Sequence, residues 1–187
     1  MKHGDRVLGH YDEVNMDETV IQAGTPQAPG MEPSELERFL AQRRVAVLSW
    51  ATPLGETVST PIWFTYRDGA FLLHTNHPSL KTRAILKNSQ VALVIQDEAP
   101  PYRYVSVRGQ ARLRQEPDEA LRLYQEQARA HFGRLGGGVY LRRSLAEYEG
   151  DHVIIEVTPT KIKAMNGSAA LNPLQLLALR AARKLGL

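Results

Sequence analysis

The spacing of apolar residues changes along the chain between the helical period and the alternation that is typical of strands. Leu36, Phe39 and Leu40 share one face of a predicted helix. Ser34 is the expected cap of this helix, with Glu37 three residues further on. Apolar and β-branched runs bounded by Pro and Gly then predict six strands, at 44–50, 57–66, 70–75, 90–97, 102–114 and 152–165.

The order of these elements predicts a mainly β fold. Strands follow one another through short turns, and Asp68–Gly69 is a strong hairpin signal. Pro159 predicts a bulge in the last strand. Further helices are predicted at 79–87, 116–133, 141–150 and 172–187. Because strands and helices do not alternate as in a Rossmann fold, we expect an antiparallel sheet or small barrel with peripheral helices.

The helix predicted at 116–133 has Pro117 in its first turn and a buried stripe formed by Leu121, Tyr124, Ala128 and Phe132. The glycine-rich segment that follows, RLGGG at 134–138, lacks the Lys-Ser/Thr of a phosphate-binding loop. We therefore interpret it as a flexible connection between two helices.

Composition changes at both ends of the chain. Residues 1–30 combine acidic side chains with the Pro- and Gly-containing stretch Ala23–Gly30, so we expect an extended N-terminal arm. Residues 31–166 form the predicted domain. Residues 167–187 form a predicted C-terminal helix with Asn172 as its cap and Pro173 at its first position.

The totals exclude several classes of function. The 187 residues contain no cysteine, which excludes disulfides, thiolate catalysis and cysteine-held metals. No apolar run reaches the roughly 20 residues of a membrane span and no signal peptide is visible, so we expect a cytoplasmic protein. The net charge of +3 comes from dispersed basic residues, which does not favour nucleic-acid binding. Neither His74 nor His77 has a neighbouring carboxylate, so no metal site is expected.

The segment HTNHPSLKTRAI (74–85) has its charges at the unfavourable end of a helix. A strand is predicted to end at His74–Thr75 and a helix to begin at Ser79. Lys81 and Arg83 then lie in the first turn, where the helix dipole is already positive. Free backbone N–H groups, the Ser79 hydroxyl and two cations describe a phosphate site, and a solvated helix start is the equally weighted alternative.

The segment STPIWFTY (59–66) is a second candidate. Pro61 removes a hydrogen-bond donor within a strand, and Trp63 lies two residues further on, on the same face. One interpretation is a sheet edge or barrel mouth that meets a flat ligand. The other is a core tryptophan beside a bulge.

Three segments carry a resemblance to a known family: VSTPIWFTYRDGAFLLHT (58–75), SLKTRAILKNSQVALVI (79–95) and PPYRYVSVRGQARL (100–113). They resemble the pyridoxamine 5'-phosphate oxidase-like split-barrel flavoproteins, and most closely their flavin/deazaflavin (F420)-dependent oxidoreductase branch. The resemblance implies a six-stranded split β-barrel that forms a homodimer. It also implies FMN, with F420 as the alternative, bound between the subunits and used for hydride transfer with a small organic substrate.

The resemblance assigns cofactor-binding residues at the candidate phosphate site. Thr75 and Asn76 fall on the family's Thr-Asn at the end of its cofactor strand. Ser79 and Lys81 fall on the Ser-x-Lys that holds the flavin phosphate. Arg83 matches the Lys-Thr-Arg of the deazaflavin branch. No nucleic acid, membrane or metal is implied.

The resemblance also locates the flavin ring. Ile62 and Trp63 fall where the family's strand backbone lies along the ring. The chain departs from the oxidase pattern at Leu80, which replaces a phosphate-binding cation, and at Tyr104, which replaces a flavin-contacting glutamine. No catalytic side chain is identified, and hydride transfer from a cofactor requires none.

Two functions of other classes stay open. The first is a non-catalytic flavin- or haem-binding carrier or sensor of the same fold, which in the haem form needs an axial ligand such as histidine. The second is a nucleic-acid-binding module that uses the polar face of residues 104–112, for which binding with a steep salt dependence is expected.

Overall fold

The computed structural model describes residues 30–146 and 150–185, so the predicted arm, apart from Gly30, lies outside the described residues. The helices are α1 (Pro33–Leu40), α2 (Leu80–Lys87), α3 (Pro117–Ala146) and α4 (Pro173–Leu185), with a 3-10 turn at Gly167–Ala170. The strands are β1 (Val45–Ala51), β2 (Thr57–Trp63), β3 (Thr65–Arg67), β4 (Ala70–His77), β5 (Gln90–Gln96), β6 (Arg103–Arg114) and β7 (Asp151–Asn166).

The seven strands of the described residues form one antiparallel sheet in the order β2-β1-β5-β6-β7-β4-β3. The sheet is curled into a split barrel and the helices lie outside it, which confirms the predicted mainly β class. The predicted number of six strands is one too low, because the segment 57–66 forms two strands that pair with different partners. β2 pairs with β1, and β3 pairs with β4.

The connection between β2 and β3 explains the curl of the sheet. These strands are the two edges, and only Phe64 separates Trp63 from Thr65. A flat sheet of seven strands would hold its edges roughly 29 Å apart, at about 4.8 Å per strand. The two peptide steps across Phe64 span at most about 7.6 Å. The edges must therefore meet, and they do so at a seam where the buried Phe64 ring turns inward.

Alternate residues of the strands fill the barrel. In β6, Val105, Val107 and Ala111 are buried as predicted, and Leu113 is half-buried. Helix α1 closes the core with Phe39 and Leu40, and α2 adds Ala84 and Ile85. The largest fully buried side chains are Phe39, Phe71, Leu48, Leu73, Leu93, Ile95, Ile154, Ile155, Val105, Val107, Val153 and Val157.

The predicted turn and bulge are present. Asp68 and Gly69 have φ values of 52° and 77°, the left-handed conformation of a tight hairpin between β3 and β4. The β6–β7 register shifts between Arg108 and Gly109, where Gly109 lies opposite Pro159. The interruption predicted at Pro159 is therefore confirmed as a bulge.

The helix ends agree with the sequence in one case and differ in another. Asn172 caps α4, since its Oδ1 accepts a hydrogen bond of 2.9 Å from the Gln175 N–H. The prediction that Ser34 caps α1 is wrong, because the helix already begins at Pro33 and no side chain caps it. None of the helices in the described ranges is long and apolar enough to cross a membrane.

Helix α3 is broken at Gly133, which has a φ of 74° and a ψ of 174°. The segment 134–138 is helical, so its interpretation as a flexible connection is wrong. Helix formation resumes directly after the break, and Gly137 of the second segment lies against Arg129 of the first. Tyr124 and Ala128 are buried as predicted, whereas Phe132 beside the break is 48% exposed.

Two glycine substitutions test this packing. A Cβ at Gly109 would lie 2.7 Å from both the Thr158 carbonyl oxygen and Val157 Cγ1. Gly109→Ala should therefore lower the free energy of unfolding by about 1–3 kcal/mol. At Gly138, within α3, a Cβ meets nothing within 4 Å. Gly138→Ala should raise the free energy by roughly 0.5–1 kcal/mol. Urea unfolding measures both, and equal effects of the two variants would contradict the described bulge.

Candidate functional site

The first turn of α2 is held by a capping box. The Ser79 hydroxyl accepts a hydrogen bond from the Thr82 N–H at 3.3 Å, and the Ser79 N–H donates to the Thr82 Oγ1 at 2.8 Å. The position of Ser79 as cap is confirmed. The fully buried Thr82 was not recognised from the sequence, because its role depends on this reciprocal pairing and on a 3.0 Å contact between its Oγ1 and His77 Nδ1.

The capping box does not engage the backbone N–H groups of Leu80 and Lys81. These two groups lie in the first turn, where an N–H has no carbonyl partner within its own helix. Lys81 is half-buried, and this burial lowers the pKa of its ammonium group. Within the ranges that the structure describes, no acidic side chain forms an ion pair with Lys81 or Arg83. The helix also has no acidic residue in its first turn.

This arrangement fits an anion. The dipole of α2, two backbone amides and the charge of Lys81 all favour negative charge at the helix start, and the exposed Arg83 adds a second cation to the first turn. A partly desolvated lysine without a carboxylate is unfavourable by itself, and a bound phosphate group would supply the missing charge. The Leu80 side chain is 74% exposed and contributes no charge.

The two predicted strand residues do not present their side chains together. Thr75 and Asn76 are neighbours in β4, so their side chains face opposite sides of the sheet. Thr75 is buried, and Asn76 is half-buried on the face that also carries His74. A single ligand can contact only one of the two side chains, and it can reach the other residue only through its backbone.

A pair of histidines, the buried His74 and the half-buried His152, lies beside the candidate anion site. His74 Nε2 and His152 Nδ1 are 2.8 Å apart, and the His74 ring stacks on Tyr124 with a centroid separation of 4.2 Å. The pKa of His74 is lowered to about 3, mainly by burial and in smaller part by the charges of His152 and Lys81. His74 is therefore neutral at pH 7, and Lys81 is close enough to affect it. The described residues contain no cluster of three metal-ligating side chains.

Ile62 and Trp63 face opposite sides of β2, an edge strand in which Pro61 needs no partner for a missing N–H. Ile62 packs against the main core, and Trp63 packs against the smaller cluster that includes Tyr124. The His131 ring lies nearly parallel to the Trp63 ring, with their centroids 4.8 Å apart. Both interpretations of Trp63 are thus partly met: it is packed, and it borders a cavity at a sheet edge.

The cavity lies at the seam between β2 and β4, beneath α3. Its volume is about 330 Å³, and its lining consists of Val45, Pro61, Ile62, Trp63, His74, Tyr124, Gln127 and Tyr140. Burial raises the pKa of Tyr124 to about 12, and its hydroxyl is hydrogen-bonded to Ser144. Tyr140 and Ser144 were not recognised from the sequence, because nothing local shows that the second segment of α3 returns to this cavity.

The fold is a split barrel in which a helix start suited to an anion lies beside a neutral cavity. A family model described as pyridoxamine 5'-phosphate oxidase matches residues 33–166, so the chain belongs to this family. A search of curated protein sequences finds no significant match.

Solved structures share the fold. The conserved hypothetical protein Rv2991 from Mycobacterium tuberculosis is 20% identical with a TM-score of 0.65, and the match covers 80% of this chain and 94% of that chain. An F420 reductase is 24% identical with a TM-score of 0.54, over 67% of this chain and 94% of that chain. A FAD-binding protein from Mesorhizobium loti is 16% identical with a TM-score of 0.52, and the match covers 73% of this chain and 96% of that chain. At these identities the likeness shows the fold alone.

The buried neutral state of His74 predicts a loss of stability in mild acid. Its pKa is about 3 in the folded protein and 6.5 when unperturbed. Between these pH values the unfolded chain binds the proton and the folded chain does not, so stability present above pH 6.5 is lost as the pH falls. At pH 5 this one group should cost about 2 kcal/mol.

The variant His74→Phe keeps a flat ring against Tyr124 and removes the titrating group. Its loss of unfolding free energy between pH 7 and pH 5 should be smaller than that of the wild type by about 2 kcal/mol. Urea unfolding at the two pH values measures this difference. An equal loss in both proteins would show that His74 is not buried as a neutral group.

Proposed function

We propose that this protein is a flavin-dependent oxidoreductase that transfers a hydride between its cofactor and a small organic substrate. The observation that supports this most is the half-buried Lys81 at the start of α2, which forms no ion pair with any acidic side chain that the structure describes. In a family of cofactor-binding split barrels, the phosphate of a flavin-type cofactor is the anion that this site would hold. FMN is the proposed cofactor, and F420 is the alternative.

In this proposal Lys81 and Arg83 neutralise the phosphate, while the N–H groups of Leu80 and Lys81 donate hydrogen bonds to it. The capping box fixes the Ser79 hydroxyl at the same helix start, within reach of a further phosphate oxygen. Asn76, whose side chain faces the His74 side of β4, is the better placed of the two strand residues. Thr75 would contribute through its backbone.

The ring would lie along the free edge of β2. Ile62 and Trp63 are at the end of this edge strand, whose backbone has a partner strand on one side only. When bound, the cofactor supplies the hydride chemistry. The chain holds the ring, keeps water away with the apolar cavity wall, and leaves His74 uncharged beside it.

The comparisons support a flavin-type cofactor without selecting one. One structure of the same fold is an F420 reductase and another is a FAD-binding protein. Arg83 favours F420, since it matches the Lys-Thr-Arg of the deazaflavin branch, and Leu80 departs from the oxidase pattern. The family model favours FMN, since its description names pyridoxamine 5'-phosphate oxidase and the oxidase-like family resembled by the sequence uses FMN.

A second copy of the chain would complete the site. Val45, Val47 and Val94 lie on the outer face of adjacent strands β1 and β5, with 39%, 39% and 37% of their surface exposed. Val45 also lines the cavity. We propose that this apolar face is covered in a homodimer, with the cofactor between the subunits. The cytoplasmic location expected from the sequence stays a prediction.

Paired lysine variants test the phosphate site. Lys81→Met should weaken binding of FMN or F420 roughly tenfold to a hundredfold, because a hydrogen bond to a charged group contributes about 1.5–3 kcal/mol. Lys87→Met is the matched control, since Lys87 is exposed in the last turn of the same helix. It should leave the affinity unchanged.

Isothermal titration with each cofactor measures both variants. Lys81→Met should also unfold at a temperature no lower than the wild type, because it removes a desolvated charge. Equal affinities of the two variants would contradict the placement of the phosphate. A Soret band in the purified protein would instead support the haem-binding alternative.

A further inference from the structure

Resting on the proposed function, we infer that the cavity between α3 and the seam binds the organic substrate, and that this substrate is a small, flat, conjugated compound without formal charge. We call this cavity the aromatic cleft and define it by its lining residues Val45, Pro61, Ile62, Trp63, His74, Tyr124, Gln127 and Tyr140. Its volume of about 330 Å³ is at the lower end of the range for small-molecule sites, which begins at about 300 Å³.

The lining of the cleft carries no charge near neutral pH. Among the described residues, the lining contains no lysine, arginine, aspartate or glutamate, and His74 and Tyr124 are both held in their neutral forms. A carboxylate or phosphate that entered the cleft would lose its hydration without meeting a counter-charge. Two described cations are near the cleft without lining it: Lys81, whose charge acts on His74, and Arg43, whose charge acts on His131.

Aromatic rings form the cleft wall. The Trp63 ring centroid is 5.4 Å from that of Tyr140 and 6.2 Å from that of Tyr124, and His131 covers one face of the indole. Aromatic rings on the wall offer a planar ligand edge-to-face and offset contacts, which a saturated or bulky compound does not gain. The wall therefore favours conjugated rings over flexible aliphatic chains.

The break in α3 builds this wall. Along a straight helix Tyr124 and Tyr140 would be about 24 Å apart, at 1.5 Å per residue. Because the helix turns back at Gly133, their ring centroids are 6.3 Å apart. Gly137 permits the close return, since a Cβ there would lie 3.0 Å from the Arg129 Cα. The turn brings the two tyrosines to one side of Trp63.

Two tyrosine hydroxyls supply polarity without charge. The Tyr124 hydroxyl is hydrogen-bonded to Ser144, and Tyr140 lies beside it with 36% of its surface exposed. Protonated phenols donate hydrogen bonds to carbonyl-type oxygens, so a neutral acceptor on the ligand can be oriented here. Tyr140 is the exposed member of the pair and thus lies at the entrance of the cleft.

The cleft is adjacent to the proposed ring position and distinct from it. The cofactor ring is proposed to follow the backbone edge of β2, whereas the Trp63 side chain projects from that strand toward α3. A ligand in the aromatic cleft would thus lie next to the ring. A cofactor and a cleft ligand should then bind at the same time.

Equilibrium dialysis with two matched probes tests the inference on the full-length protein at pH 7. Coumarin is flat and uncharged, and coumarin-3-carboxylate has the same rings with a negative charge. Coumarin should bind at least roughly tenfold more tightly than the carboxylate, both with and without bound cofactor. Equal binding of the two probes, no binding of either, or loss of coumarin binding when cofactor is loaded would each overturn the inference.

Three variants locate the binding. Trp63→Leu should weaken coumarin binding at least roughly tenfold, and Tyr140→Phe, which keeps the ring, should weaken it about threefold to tenfold. Tyr102→Phe is the control, since Tyr102 is 59% exposed and is not among the lining residues. Unchanged affinity in both cleft variants overturns the inference.

Cofactor affinity is measured on the same samples, which separates this inference from the proposed function. Cofactor binding without discrimination between the probes overturns the substrate inference alone. Discrimination without any cofactor binding supports the cleft as a site for flat neutral ligands and overturns the oxidoreductase proposal.

Discussion

The structure depends on one covalent constraint: a single residue, Phe64, joins the two edge strands of the sheet. This connection forces the sheet to curl until its edges meet, and burial of the Phe64 ring holds the seam on the core side. The end of β2 is thereby brought beside β4, so Trp63 and His74 line one cavity although they come from strands at different positions in the sheet. The site is a consequence of closing the barrel.

The second determinant is that a positively charged region, the start of α2, lies directly beside a neutral one, the cavity. At the start of α2, dipole, amides and Lys81 all favour an anion, and no described acidic side chain pairs with that lysine. Beside it, burial keeps His74 and Tyr124 neutral. The anion site would thus take the phosphate of a cofactor whose ring follows the edge of β2, and the neutral cavity beside it would take an uncharged ligand next to that ring.

The sequence predicted features that depend on local chemistry. The hairpin at Asp68–Gly69, the bulge at Pro159 and the cap at Ser79 each follow from what one or two residues can do, and each is present. It did not predict features that depend on distant partners. The exchange of pairing at Phe64 leaves the hydrophobic alternation unchanged, and the return of Tyr140 to Tyr124 requires the orientation of two helical segments after the break. For the candidate residues outside α2, the sequence alone could not show which side chains lie together, because that depends on the register of the sheet strands.

The central claim is that a cofactor phosphate binds at the start of α2, beside Lys81. It is tested most directly by titrating the wild-type protein with each cofactor and with its phosphate-free counterpart: FMN against riboflavin, and F420 against its unphosphorylated chromophore. The account predicts that in at least one pair the phosphorylated form binds roughly tenfold more tightly or better, since charge-assisted hydrogen bonds would be lost with the phosphate. Equal affinity within both pairs would contradict it, as would a failure of both phosphorylated forms to bind.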